Sequence, residues 1–346
     1  MVKYHGGLAK RGELDFSSNI NPLAPPGFVT GLIKECGYST YPDYTYADLR
    51  SVVATFNGVS DDEVTPVNGA SEGLYASLMV AKLLGMRGCL IVSPNYGDLE
   101  FEEYCRLIGL KVTHHLMSHS DSSYVLGDVK AKKDDVVLLS NPSNPTGTLH
   151  SRGELTSVIN NAGLVIVDEA YINLSVNPSV SLMGSGYSNL IVVRSLTKEI
   201  GLPGLRIGYV YTPNAQVMEL MQTVLPSWNI NSCADEVTRG VYGKYSSEYA
   251  SFLEESRREV SRLRGYLVNG LAELGFRVYE SAVNFILAEA PIEANRLYEV
   301  LLNKGIVVRV PKGFVGLGSK HVRIAVRGIN DEVRLIEEVK GILNGV

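Results

Sequence analysis

The stretch Asn189 to Tyr209, NLIVVRSLTKEIGLPGLRIGY, decides how the chain is read. Leu190 to Val193 is an apolar run, mostly β-branched, with no polar residue alternating through it. Such a run predicts a strand buried on both faces. It delivers Arg194, Ser195, Leu196, Thr197 and Lys198 to a turn; a loop with glycine and proline follows from Gly201 to Gly204, and Arg206 opens a second apolar run, Ile207 to Tyr211. A lysine at the edge of a buried sheet is costly unless it is paired, neutral or covalently used. An aldehyde cofactor bound to the lysine amine, its phosphate held by nearby hydroxyls and an arginine, meets all three conditions. A solvated lysine after a strand fits this segment alone equally well, so the rest of the chain has to choose.

Outward from this stretch, strands and helices alternate. LVIVDEA (164–170), VVLLS (136–140), KVTHHL and CLIVS (89–93) have strand character. Helical spacing covers Asp48 to Asn57, about Ser71 to Leu84 behind a glycine-bearing turn Asn68-Gly69-Ala70-Ser71, the segment after SPNYG, and the segment after His150. Strand and helix in repeated succession predict an α/β fold: a large domain whose mostly parallel sheet is covered by helices on both faces. Functional residues in such sheets gather at the carboxyl ends of the strands. After Asn231 the pattern changes. Ser246 to Leu274 is a long amphipathic helix with Phe252, Val260, Leu263, Leu267 and Leu271 on one side, and its charges read as a solvated face. Strands at FRVYE, NFILAEA, GIVVRV and HVRIAVR, with helices at 294–303 and 331–343, predict a smaller α+β domain. Residues 1–40 are rich in turn formers and short on periodic structure, an arm that must lie across another surface. The expected division is an arm over 1–40 contributing to the small domain and the substrate site, a large domain over 41–235, and a small domain over 236–346.

Composition narrows the function classes. The 346 residues carry 32 Lys and Arg against 37 Asp and Glu, a net charge of −5 with no basic block, so nothing favours nucleic acid or a membrane surface. No apolar run approaches membrane-spanning length, and the first residues lack an apolar signal core. Cys36, Cys89, Cys105 and Cys233 are scattered, without a Cys-x-x-Cys pair or a His at metal-ligand spacing. The expectation is four reduced, buried thiols in a cytoplasmic protein that binds no metal.

Several predicted strand ends carry polar residues. VVLLS runs into Asn141-Pro142-Ser143-Asn144-Pro145-Thr146-Gly147, LVIV into Asp168-Glu169-Ala170-Tyr171, and the 190–193 strand into Ser195 and Lys198, with Arg206 beyond. This combination, in this order and spacing, resembles the fold type I pyridoxal-phosphate enzymes, the class I/II aminotransferase superfamily, over nearly the whole chain. The resemblance implies pyridoxal 5'-phosphate as cofactor and a role for each matching residue. Lys198 would carry the cofactor's aldehyde carbon and act as the acid and base. Asp168 would face the pyridine nitrogen, Asn144 and Tyr171 the phenolic oxygen, and Tyr96 would stack on the ring. Ala70 and Ser71 at a helix start, with Ser195, Thr197 and Arg206, would hold the phosphate. Tyr41 would reach across a homodimer interface to the neighbouring phosphate, so that active sites are shared. Arg323 would grip a substrate carboxylate, with Asn284 lining the same site.

Within the superfamily, His5-Gly6-Gly7 followed by LDFSSNINPLAPP resembles threonine-phosphate decarboxylase of the cobalamin pathway, where the arm helps enclose the substrate; Asn21 lies in this arm. Tyr41-Pro42-Asp43 and Pro226-Ser227-Trp228-Asn229 resemble both that enzyme and histidinol-phosphate aminotransferase. The implied substrate is a phosphorylated amino acid or amine, with decarboxylation ahead of transamination. His5, Lys312 and Arg327 are candidate contacts to its phosphate, and surface salt bridges explain Arg327 and Arg309 about as well. Both subgroups commonly have an acidic residue after the arginine of the GIVVR strand. Here Arg309 is followed by Val310, Pro311, Lys312 and Gly313, a departure that bears on substrate choice and leaves the cofactor site untouched. A third class, a cofactor-binding module without catalysis, usually loses the lysine or gains a DNA-binding extension; Lys198 and Asp168 are both present.

Overall fold

The computed structural model describes residues 6–7, 9–95, 98–120 and 122–345. The arm contains β1 (Leu14–Asp15) and α1 (Gly27–Glu35). Next come α2 (Ala47–Asn57), β2 (Val64–Val67), α3 (Gly69–Leu83), β3 (Gly88–Ser93), α4 (Asp98–Leu107) and β4 (Lys111–Leu116). A short ribbon of β5 (Ser118–His119) and β6 (Tyr124–Val125) leads to β7 (Asp135–Ser140), α5 (Arg152–Asn161), β8 (Leu164–Asp168), β9 (Leu190–Ser195) and β10 (Gly208–Tyr211). The chain closes with α6 (Ala215–Val224), α7 (Ser232–Arg239), α8 (Ser246–Glu273), β11 (Arg277–Val278), β12 (Phe285–Glu289), α9 (Ala294–Asn303), β13 (Ile306–Val307), β14 (His321–Ala325) and α10 (Ile329–Asn344).

Seven strands form the main sheet in the order β2-β10-β9-β8-β7-β3-β4. The five from β9 to β4 run parallel, while β10 is antiparallel to both β9 and β2. All six residues of β9 are buried, because successive side chains serve two cores. Ile191 and Val193 pack on the face holding Leu74 and Leu78 of α3 and Met221 of α6. Leu190 and Val192 pack on the opposite face with Leu155 and Val158 of α5. A sheet apolar on both faces leaves its strand ends as the place where polar side chains gather at least cost.

The C-terminal part holds an antiparallel sheet, β11-β12-β14, backed by Leu263, Leu267 and Leu271 of α8, Leu297 and Leu301 of α9, and Leu335 and Val339 of α10. Phe16 of the arm is fully buried in this cluster, and β1 pairs in parallel with β13, Leu14 opposite Ile306 and Asp15 opposite Val307. The arm is thereby stitched to the C-terminal sheet region while its next residues cross to the main sheet.

Two features depart from the sequence expectations. Residues 27–35 form a helix where little periodic structure was expected: Phe28, Val29, Leu32 and Ile33 find apolar partners in the cluster around α2 and α7, so tertiary packing supplies what local pattern lacks. The expectation of four reduced thiols is corrected as well. Cys36 and Cys233 form a disulfide, because α1 ends beside the start of α7 and brings Cα atoms 197 residues apart in sequence to 5.0 Å. Cys89 and Cys105 are free and buried.

Ile166 lies at the centre of β8 with no exposed surface. Ile166→Ala should lower unfolding stability by about 2–5 kcal/mol in a urea titration; a loss below about 1 kcal/mol would mean that this face is not closely packed.

Candidate active site

Three neighbouring parallel strands end at one place. Ser140, the last residue of β7, pairs with Asp168, the last of β8, and Asp168 pairs with Val193 of β9 just before Ser195. The turns beyond these ends open into a cavity of about 450 Å³. Ala70, Ser71, Asn144, Asp168, Tyr171, Ser195, Thr197, Lys198, Arg206 and Arg323 all line it.

One corner is built for an anion. The start of α3 presents backbone N–H groups at Ala70 and Ser71, and Ser195 Oγ and Thr197 Oγ1 lie 3.0 Å apart beside it. The Arg206 guanidinium lies against the helix start: a Cβ on Gly69, whose φ is +75°, would sit 2.4 Å from Arg206 Nη2. Only glycine permits both that backbone conformation and that approach. Arg206 itself adopts a left-handed φ of 56° and donates from Nη1 to the Pro203 carbonyl at 3.1 Å, which fixes its direction.

The opposite wall is polar and buried. Asp168 Oδ1 accepts from the Ala170 amide at 3.0 Å, so the carboxylate is held by the turn that follows its strand. Arg323 donates from Nη1 to Asn144 Oδ1 at 2.8 Å and from Nη2 to the Ser17 carbonyl at 2.5 Å; its Nε, also buried, has no hydrogen-bond partner among the described residues. Tyr171 lies edge-on to Phe285, and burial raises its phenol above the usual value. Lys198 is pushed down to about 8 by burial first, then by the positive charges of Arg323 and Arg206. An amine with that value exists in both protonation states near neutrality.

Other sequence candidates lie elsewhere. Asn21 does not line the cavity; its Nδ2 donates to the Glu199 carbonyl at 3.0 Å and to Ser256 Oγ at 2.8 Å. Arg327 is turned to Asp331 at 3.4 Å on the first turn of α10, and Lys312 is an exposed turn residue. Asn284 is fully buried outside the cavity lining, and its amide has no partner among the described residues. Arg309 is largely buried, and its backbone pairs with that of Arg323. Tyr41 is 78% exposed and packs on Trp228 with ring centroids 4.9 Å apart. His5 and Tyr96 lie outside the described residues.

Sequence reasoning missed Asp15, Ser17, Ser18 and Asn19, which line the cavity. Asp15 accepts from both serine hydroxyls, and Asn19 Nδ2 donates to Tyr171 OH at 3.3 Å while its buried Oδ1 has no hydrogen-bond partner among the described residues. The signal was there as a run of small polar residues, Ser17 to Asn19, directly after Leu14-Asp15-Phe16, in which an acid stands between two apolar residues.

The family profile described as aminotransferase class I and II matches residues 12–336. The chain belongs to this family. Pyridoxal phosphate is the family's cofactor, and the enzyme-named relatives agree with a catalytic chain. A protein of Caldanaerobacter subterraneus subsp. tengcongensis, provisionally named threonine-phosphate decarboxylase, is 30% identical over 94% of this chain and 89% of its own length. The crystal structure of histidinol-phosphate aminotransferase from Clostridium acetobutylicum superposes with a TM-score of 0.83 at 28% identity, covering 96% of this chain and all of that one. The histidinol-phosphate aminotransferase of Sinorhizobium meliloti, solved in complex with pyridoxal-5'-phosphate, has a TM-score of 0.80 at 18% identity, over 95% of this chain and 90% of that one; at that identity it speaks for the fold.

The donor set of this aminotransferase-family chain fits that cofactor. The cavity combines an anion corner, a buried carboxylate, a lysine amine with a depressed pKa, and buried polar atoms on Asn19 and Arg323 that lack a hydrogen-bond partner among the described residues. Gly69→Ala should push Arg206 out of the anion corner and weaken pyridoxal phosphate binding by about tenfold in a fluorescence titration; unchanged affinity would remove Arg206 and Gly69 from the phosphate site. In the cofactor-free protein, the rate of amine modification at Lys198, followed by mass spectrometry, should rise with pH through a midpoint near about 8. Arg323→Gln removes a neighbouring positive charge, lets the ammonium persist to higher pH, and should shift that midpoint upward; a downward shift would show that Arg323 does not act on the amine.

Proposed function

We propose that this chain decarboxylates L-threonine-O-3-phosphate, or a closely related phosphorylated amino acid, using pyridoxal phosphate. The observation that carries this reading is the arm. Asp15 to Ile20 wall the cavity that holds Lys198, Arg206 and Arg323, and the Ser17 carbonyl fixes Arg323, so a dianionic substrate would meet its cations in an enclosed space. The 30% identical relative with the decarboxylase name supports the same choice.

Bound in this cavity, pyridoxal phosphate supplies an electron sink for the charge left on the substrate's α-carbon. Asp168 would hold a proton at the cofactor's ring nitrogen, and Asn144 and Tyr171 would hydrogen-bond its phenolic oxygen. Ala70, Ser71, Ser195, Thr197 and Arg206 would hold its phosphate, and Tyr41 would reach the phosphate of a second subunit in a homodimer. Arg323 would grip the substrate carboxylate and, with the arm, orient the bonds at the α-carbon. Lys198 Nζ would be the group that returns a proton to the α-carbon once the carboxylate has left as carbon dioxide. The walling arm keeps water from competing for that position.

The second reading, transamination of histidinol phosphate, has the Clostridium structure at 28% identity in its favour. It requires the Cα–H bond to break in place of the Cα–carboxylate bond. Carbon dioxide release from O-phospho-L-threonine without added keto acid separates the two. Many turnovers are expected, falling by roughly 10³-fold or more in Lys198→Ala. No release, together with amino transfer from histidinol phosphate to 2-oxoglutarate, would establish the second reading and end the first.

A further inference from the structure

Glu199 follows Lys198 directly, is 1% exposed, and takes no part in the chemistry just described. Its carboxylate accepts the hydroxyl of Tyr249, which is itself fully buried on α8. The turn it shares with Lys198 is held from a second side by the arm. The Asn21 amide donates to the Lys198 carbonyl at 3.0 Å, and Asn21 Nδ2 bridges the Glu199 carbonyl and Ser256 Oγ of α8. Two residues further on, Gly201 lies so close to the arm that a Cβ there would meet Ala24 Cβ at 2.5 Å. Arm, lysine turn and α8 therefore form a closed triangle of contacts, with one corner made by an acid that burial penalises.

We propose that Glu199 is a positioning residue: through Tyr249 it locks the turn bearing Lys198 onto α8, and thereby ties the placement of the lysine amine to the closed position of the arm. This rests on the reading of Lys198 as the cofactor-bearing base, and not on which substrate is used. Retaining an acid here carries a cost, since burial raises the Glu199 carboxyl to about 7 against the favourable pull of Tyr249, Arg194, Asn173 and Arg257. Tyr209 and Tyr242 complete its surroundings. An apolar side chain would fill the same space without that cost, but it would take the carboxylate acceptor from the buried Tyr249 hydroxyl and remove the side-chain tie between the turn and α8, leaving only the Asn21 bridge to Ser256.

The test compares Glu199→Ala, Glu199→Gln and Tyr249→Phe in cofactor-loaded protein. Tyr249→Phe removes only a hydroxyl and guards against a Glu199→Ala chain that fails to fold. Hydrogen exchange at the Asn21 amide, read by mass spectrometry without substrate, should speed up about tenfold in Tyr249→Phe and stay within about twofold in Glu199→Gln, which keeps an acceptor oxygen. With whichever substrate turns over, kcat should fall about fivefold or more in Tyr249→Phe while KM stays within about twofold. Unchanged exchange in Tyr249→Phe, or exchange in Glu199→Gln as fast as in Glu199→Ala, would overturn the proposal. A raised KM with kcat intact would do the same. Because exchange needs no substrate, failure here is distinct from failure to decarboxylate phosphothreonine.

Discussion

The site depends on the repulsion and desolvation that Lys198 experiences. Three basic groups, Lys198, Arg206 and Arg323, line one partly buried cavity, and its carboxylates, Asp15 and Asp168, are both engaged by hydrogen bonds from their own turns. A protonated amine is disfavoured there, and its affinity for a proton falls to about 8. Both consequences serve the chemistry. A neutral amine can bond to an aldehyde, and a group that exchanges its proton near neutrality can act as acid and base in one cycle. The same two guanidiniums that depress the lysine line the cavity with it, so under the proposed function one arrangement of charge would supply both reactivity and anion binding.

That arrangement survives because the sheet beneath it is apolar on both faces. Residues of β7, β8 and β9 alternate between two cores, and the polar residues Ser140, Asp168 and Ser195 appear only where the strands end. Parallel strands put those ends side by side, which brings residues far apart in sequence within reach of a single small molecule. The helix start at Gly69 and the left-handed turn at Arg206 then converge on the same corner from opposite directions.

The arm couples this site to the rest of the molecule. It is anchored at one end by β1 on β13 and by Phe16 in the C-terminal core, and farther along by Asn21 on the lysine turn and on α8. Between these anchors, Ser17 to Ile20 face the cavity. A segment so held can present backbone carbonyls and small polar side chains to a ligand without regular secondary structure of its own.

By itself the sequence determined the alternating strands and helices, the polar strand ends and the lysine between two apolar runs, because hydrophobic period and turn chemistry are local properties. Helix 294–303 and the long α8 were legible for the same reason: their apolar faces repeat every three to four residues. Only the tertiary structure decided that Asn21 serves the scaffold while Asn19 and Asp15 face the cavity, that Arg327 is occupied by Asp331, and that Cys36 meets Cys233. It also decided that Glu199, unremarkable in the string, is buried against Tyr249. Each of these turns on which side chains meet across long sequence separations, and periodicity along the chain holds no information about that.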